Sequence, residues 1–394
     1  RFRNVTGVQT CALPISLSEG KPLGFLDHRL RVGNSLLGAW PEDLRRLEKS
    51  RGGPRRLPLF DDLELARTLG RVTRPLRAML SRRDDTVDDV RAKEAAWRQL
   101  EADRSPLAPW RQAADLWCAR WFWPAGLEPP TSAETRAAID ALLGHDLTLR
   151  DRPLHRLLAP AADRASALRF FHWPLEFSDV FYDDAGEPLA TPGFDAVIGN
   201  PPWEMVRADP LAREEGEAAP HRHMVRFVRE CGLYAACDRG HLNLYQPFLE
   251  RALGIVRPGG RVGLVLPWGL AVDEGAASLR ARLLDHTDID VIVGFDNAAG
   301  MFPIHRGLRF QVLVTAASAP AHDVKARFGV TTRDEVGSLD RDEYPVRLTR
   351  AALAQLGGRS RRFPDARREE DLQLLFRLDR KSTRLNSSHV SESR

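Results

Sequence analysis

Apolar runs separated by charged or amphipathic stretches set the pattern of the second half of the chain. The runs are Phe194–Ile198, Arg261–Pro267, Ile289–Phe295 and Leu308–Thr315. Short runs of this kind, bounded by glycine, proline or charge, predict buried strands. Between the first two, His241–Gly260 puts Tyr245, Phe248, Leu249 and Leu253 on one helical face, with Pro258-Gly259-Gly260 as a stop. Asp273–Leu284 predicts a second helix behind an acidic cap. This alternation predicts a doubly wound α/β sheet, with residues 194–198 as a buried parallel strand.

The first half has a different texture. Residues 42–165 are rich in Arg, Asp, Glu, Ala and Leu at helical spacing, as in VRAKEAAWRQLEAD. They predict a helical insertion between two elements of one sheet, with Pro160 and Pro174 punctuating its exit. Trp97, Trp110, Trp117, Trp121 and Trp123 are expected as core anchors. Upstream, Leu30 and Val32 predict a strand running into a tight turn at Gly33-Asn34. Residues 169–182 (RFFHWPLEFSDVFY) are expected beside the sheet, without a catalytic role for His172 or Glu176.

Composition narrows the function classes. The 394 residues carry a net charge of +4, but each end supplies +2 of it. Arg1–Ser16 (RFRNVTGVQTCALPIS) and Asp379–Arg394 (DRKSTRLNSSHVSESR) resemble translated sequencing-adapter sequence, so both are set aside. The remainder, Leu17–Leu378, is neutral and is expected to be an internal piece of a longer reading frame. Basicity is therefore no argument for a nucleic-acid partner. No apolar run is long enough for a membrane span. Cys118, Cys231 and Cys237 form no disulfide framework, which fits a reducing cytoplasm. His221, His223, Cys231, Cys237 and His241 are metal-ligand types, but their spacing matches no paired zinc knuckle. They are read as loop and core residues.

The candidate chemistry lies at the end of the first strand, in Gly199-Asn200-Pro201-Pro202-Trp203. Two prolines end the strand and hold Asn200 extended at its carboxyl end, where open α/β sheets place ligands. The Asn200 carboxamide offers an acceptor and a donor. Trp203 adds a large flat face. Asn-Pro-Pro also serves simply as a turn after a strand.

The tetrapeptide Asn200–Trp203 resembles the catalytic motif of amino-methyltransferases, above all the adenine-N6 DNA methyltransferases. PGGRVGLVLPWGL (258–270) and GMFPIHRGLRFQVLV (300–314) resemble further segments of that family in the right order. The resemblance runs from Gly24 to Leu378 and is strongest over 166–315. It points to type IIG restriction–modification methylases and to related phage-defence methylases of the DISARM and BREX kinds. It implies a partial Rossmann-like class I methyltransferase sheet, of fold class α/β, with a helical insertion. By the match, the Asn200 oxygen and the Pro201 carbonyl would accept hydrogen bonds from the exocyclic amine of a flipped adenine in double-stranded DNA. Pro202 completes the motif, and Trp203 and Phe302 would stack on the two faces of the base. Gly33, Asn34 and Ser35 resemble a turn that meets the adenine of the cofactor, S-adenosylmethionine, which Asn200 would also touch. Restriction or defence-system subunits are the implied protein partners.

The resemblance also divides the chain. Residues 17–41 would be the cofactor-side strand and turn, 42–165 the insertion and 166–330 the catalytic core. Residues 331–378 would begin a target-recognition region, where Arg359, Arg361 and Arg362 could meet phosphates. The family's glycine-rich cofactor loop and the acidic residue that holds the ribose have no counterpart in 17–378. The expectation is a sheet with an unpaired hydrophobic edge beside residues 194–198, and a fragment inactive alone. Protein-glutamine and RNA guanine-N2 methyltransferases, which use similar motifs, stay open as alternatives, as does a DNA-binding relic.

Overall fold

The computed structural model describes residues 27–45, 58–82, 85–102, 105–144, 152–206, 218–238, 240–337 and 343–379. The first adapter-like end and residues 380–394 of the second lie outside them. The chain divides into two compact units, 1–190 and 191–394.

The first unit is helical: α1 (Pro58–Leu80), α2 (Val87–Ala102), α3 (Ala108–Ala119), α4 (Ser132–Leu142) and α5 (Arg152–Leu168). α4 begins at a capping box. Thr131 accepts from the Glu134 amide, and the Glu134 carboxylate accepts from the Thr131 amide at 2.9 Å. α3 buries Trp110, Ala113, Leu116 and Trp117 and packs against α4 and α5. Trp97 joins Leu76 and Met79 in a satellite core, and Trp121 is buried with Trp117, their ring centroids 4.8 Å apart. Trp123 is only half-buried. Pro160 punctuates nothing: it lies inside α5. No strand forms at Leu30 and Val32, whose side chains are exposed. The sole β contact there is one bridge between Asn34 and Phe170.

Residues 166–190 cluster with the helices, not with the sheet, because their polar groups are used there. The buried His172 ring accepts the Ala39 amide through Nδ1 at 3.1 Å and meets Asp115 through Nε2 at 3.0 Å. Glu176 accepts from Arg111 at 2.8 Å.

His28, packed 6.0 Å from the Trp97 ring, is held down to a pKa of about 4. Burial is the main cause, and Arg29, Lys93 and Arg31 add to it against the opposing Asp179. The unfolded chain binds this proton near pH 6.5 and the folded one only near 4, so stability is lost as pH falls through that window. His28→Phe, which keeps a ring against Trp97, is expected to flatten the decline in melting temperature between pH 6.5 and 4. An unchanged slope would assign the decline to other groups.

The second unit is built on a six-stranded sheet. Its strands are β1 (Phe194–Gly199), β4 (Val256–Pro267), β5 (Asp288–Asp296), β6 (Arg309–Ala316), β7 (Val324–Val330) and β8 (Val346–Leu348), in the order β1-β4-β6-β5-β7-β8. A separate ribbon pairs β2 (Met205–Val206) with β3 (Leu242–Asn243). Helices α6 (Ala218–Glu230), α7 (Tyr245–Ile255), α8 (Ala277–His286) and α9 (Arg350–Gly357) complete the unit, with a last helix over 369–379. The core joins Leu249 of α7, Leu264 and Leu266 of β4, Leu279 and Leu283 of α8, Ile292 and Leu313.

Four features depart from the expected pattern. The sheet is mixed: β1–β4 and β5–β7 are parallel, whereas β6 runs antiparallel to both β4 and β5. A parallel return from β5 would need a crossover element, and residues 297–308 hold only a short turn. β1 is parallel to β4 but not buried. It is an edge strand, and Ile198, next to its last residue, is 80% exposed. Among the described residues nothing pairs with its outer side. Helix α7 ends at Ile255, and Pro258-Gly259-Gly260 lies within β4, where pairing skips from Phe194–Val256 to Ala196–Arg261. Finally, residues 331–378 reach the sheet: β8 pairs with β7, and Leu353, Phe363 and Leu372 enter the core.

Buried charges tie the connections to that core. Glu250 on α7 accepts the Ala236 amide at 3.1 Å and the Arg282 guanidinium at 2.5 Å. Arg280 on α8 is wholly buried and has carbonyl partners: Leu270 (2.9 Å), Asp273 (2.8 Å), Ser360 (2.6 Å) and Arg361 (3.1 Å).

Candidate active site at the carboxyl ends of the strands

β1 delivers Asn200 to its carboxyl end. The side chain is exposed and makes no hydrogen bond among the described residues. Pro201 is buried and Pro202 exposed. Trp203 is half-buried and donates its indole N–H to the Val265 carbonyl of β4 at 3.3 Å. Immediately afterwards the Glu204 carbonyl accepts the Leu244 amide at 2.9 Å, and β2 pairs with β3. The motif is therefore anchored on both sides, and its one unengaged polar side chain faces outward.

Sheet register brings the second aromatic to the same end. Phe310, the second residue of β6, lies opposite Pro267 of β4 and Phe295 of β5. Phe295 and Phe310 stack at 4.8 Å with 7° between planes. Phe302 stands edge-on to Phe310, centroids 5.1 Å apart, and Trp203 lies 5.7 Å from the same ring. Trp203 and Phe302 thus converge on Phe310. Phe302 remains 37% exposed. Edge-on and offset contacts of this kind fix ring orientation.

Phe295 and Phe310 read in the sequence as strand residues, and nothing there pointed to Asn297, which shapes the intervening turn. The period-2 pattern at the ends of β5 and β6 was the available signal.

Gly33, Asn34 and Ser35 belong to the first unit. A Cβ on Gly33 would lie 2.3 Å from the Phe171 ring, so the glycine is required by that packing. The Asn34 amide donates to Arg169 at 2.7 Å, its Oδ1 accepts from Leu36 at 3.2 Å, and the Ser35 carbonyl accepts the Trp173 indole at 3.1 Å. Asn34 Nδ2 and the Ser35 hydroxyl are polar groups of the helical unit, and the Asn200 carboxamide belongs to the sheet unit. Gly33 offers no cradle, because Phe171 fills the space.

Other candidates are engaged elsewhere. Cys231 and Cys237 are buried. Burial, with Glu250 beside it, pushes the Cys237 thiol well above its ordinary range. Among the described residues no group of three or more His, Cys, Asp and Glu is placed to hold a metal ion. Arg361 pairs with Asp285 at 2.5 Å and Arg362 with Glu274 at 3.3 Å, which spends both on carboxylates. A groove of about 460 Å³ lies at the amino end of β5, lined by Thr287, His322, Arg350 and Arg361. Asp288 already engages His322 there, at 2.7 Å. Among the described residues no helix is long and apolar enough to cross a membrane.

Residues 161–302 match the family model of Eco57I restriction-modification methylases. A stretch of 94 residues is 33% identical to the type II methyltransferase M.TthHB8I of Thermus thermophilus, covering 23% of this chain and 19% of that protein. Among solved structures, a class I S-adenosylmethionine-dependent methyltransferase of Listeria monocytogenes, itself assigned as putative, aligns over 77% of this chain and 98% of its own, at 14% identity and a TM-score of 0.27. The type IIG restriction endonuclease BpuSI aligns over 79% of this chain and 39% of its own, at 12% identity and a TM-score of 0.24. The matched stretch spans about a fifth of the curated relative.

Proposed function

We propose that this chain is part of a restriction–modification DNA methyltransferase that transfers a methyl group to adenine N6. The observation that supports this most is the outward-facing Asn200 carboxamide at a strand's carboxyl end, three residues before Trp203, within the stretch matched by the methylase family.

The chemistry follows from the residues. An aromatic amine is a weak nucleophile because its lone pair is shared with the ring. Asn200 Oδ1 and the Pro201 carbonyl accept its two N–H groups and favour a more tetrahedral nitrogen, whose lone pair is then free to attack. Trp203 and Phe302 hold the base ring, which must leave the duplex to reach them. S-adenosylmethionine, when bound, supplies an electrophilic methyl on sulfur, and Asn200 would hold it from the sheet unit. No base need remove a proton beforehand: as the N–C bond forms the S–C bond would break, the neutral thioether would depart, and the methylated nitrogen would then shed one N–H proton to solvent, so catalysis is positioning and electrostatics. Double-stranded DNA is the proposed substrate. Restriction or phage-defence subunits are proposed partners, and the cytoplasm the proposed compartment.

The test is methyl transfer by the protein made from its full reading frame. Isotopically labelled S-adenosylmethionine and unmethylated bacterial DNA are incubated with it, and the DNA is digested to nucleosides. Label in N6-methyldeoxyadenosine supports the proposal. In parallel incubations with bacterial RNA and with bacterial protein in place of DNA, label in guanine N2 or in glutamine would replace it with one of the other amino-methyltransferase readings. DNA binding without transfer would favour a relic. In the same assay Phe302→Ala is expected to lower kcat/KM about tenfold, the scale of one lost base–aromatic stack. Because the ring is over a third exposed, the melting temperature should hardly move. Undiminished kcat/KM would remove Phe302 from the site.

A further inference from the structure

The turn between β5 and β6 contains a buried carboxamide that the methyl-transfer chemistry does not use. Asn297 has no exposed surface. Its Nδ2 donates to the carbonyls of Phe302 at 3.2 Å and Ile304 at 3.0 Å, with that of His305 at 3.4 Å. Its Oδ1 accepts the Phe302 amide at 2.9 Å. The backbone adds to the same closure: the Asn297 amide donates to Leu308 at 3.3 Å, and its carbonyl accepts from Gly300 at 2.8 Å. One side chain therefore holds both backbone groups of Phe302 from beneath.

Few side chains can do this. A carboxamide is donor and acceptor at once. Aspartate would turn an oxygen toward three carbonyls, and leucine would leave them all unsatisfied. The loop it shapes is unusual in composition. Phe302, Ile304 and Leu308 are 37%, 39% and 42% exposed. Apolar side chains on a loop gain by turning inward. Drawing the carbonyls of 302, 304 and 305 inward instead keeps the Phe302 ring at the surface, edge-on to Phe295 and Phe310.

We propose that Asn297 is a positioning residue, which presets the Phe302 ring for stacking on the substrate base without touching the base. The inference rests on the stacking role given to Phe302 above. It assigns to a residue outside the motif a share of base affinity that is exerted through Phe302.

The probe is 2-aminopurine deoxyriboside, a fluorescent isomer of the adenine nucleoside that is quenched when stacked on aromatic rings. It is titrated into the 394-residue chain and into Asn297→Ala, Phe302→Ala and the double variant. Phe302→Ala should weaken the saturable quenching about tenfold. Asn297→Ala should match that loss with the ring still present, and the double variant should be no weaker than Phe302→Ala alone, since coupled residues are not additive. A merely structural Asn297 would lower the melting temperature but leave the affinity of the folded protein unchanged, which would overturn the inference. Fully additive losses would also overturn it, by showing that Asn297 acts elsewhere. If the unsubstituted chain shows no saturable quenching, the stacking role itself falls, and the inference with it. Should Asn297→Ala not fold, Gly300→Ala strains the same turn from an exposed position with φ +72°. It should weaken quenching roughly fivefold, the scale of a left-handed L-residue; no change would overturn the inference.

Discussion

Replacing Asn200 with alanine is expected to lower methyl transfer by roughly two to three orders of magnitude, the scale of one lost preorganised polar contact at a reacting centre. Stability should be untouched. The side chain is exposed and bonds to no described residue, so its removal orphans nothing in the fold. The loss should fall on kcat more than on KM, because the acceptor matters most as the amine nitrogen becomes tetrahedral. Asn200→Asp keeps an acceptor oxygen but replaces the amide donor with a second oxygen and a charge, and should retain part of the rate. Labelled-methyl transfer under single-turnover conditions is the measurement. Normal transfer by Asn200→Ala would end the assignment of this strand end as the active site.

The second large effect is on stability. Arg280→Ala should cost the sheet unit about 3–5 kcal/mol, read as a shift of the urea midpoint at unchanged slope. The buried guanidinium serves carbonyls from two separate segments, 270–273 and 360–361. Truncation leaves these oxygens in a space water does not reach, at roughly 1–3 kcal/mol for each that stays unsatisfied. Burial lowers the Arg280 pKa from its ordinary value but leaves an arginine protonated. Arg280→Lys should recover less than half, since one ammonium cannot span the same fork of acceptors. A loss below about 1 kcal/mol would mean that the 360–361 turn relaxes onto water.

The strands most legible in the sequence were the ones whose character is local. Residues 261–267, 289–295 and 308–315 are apolar runs between charges, and each lies within β4, β5 or β6, or overlaps all but one residue of it. β7 was missed although Val324, Ala326, Phe328 and Val330 alternate with other residues, because Lys325 and Arg327 interrupt what would otherwise be an apolar run. Burial was less legible than strand character. Whether Ile198 is covered depends on what lies beside β1, which the strand's own residues do not encode. The candidate site divides the same way. Asn200 to Trp203 are contiguous and announce themselves. The Phe310 platform arises from register between β5 and β6, and the Asn297 clamp from a turn whose partners are backbone groups, which have no side-chain signature.

The edge position of β1 has a consequence for motion. A strand with a single neighbour has one set of backbone hydrogen bonds to break, and local opening starts where few contacts must be given up. Phe302, by contrast, hangs from β5 and β6, each flanked on both sides. The two halves of the proposed site therefore stand on ground of unequal firmness: an aromatic wall on strands held from both sides, and a carboxamide carried by a strand held from one side among the described residues.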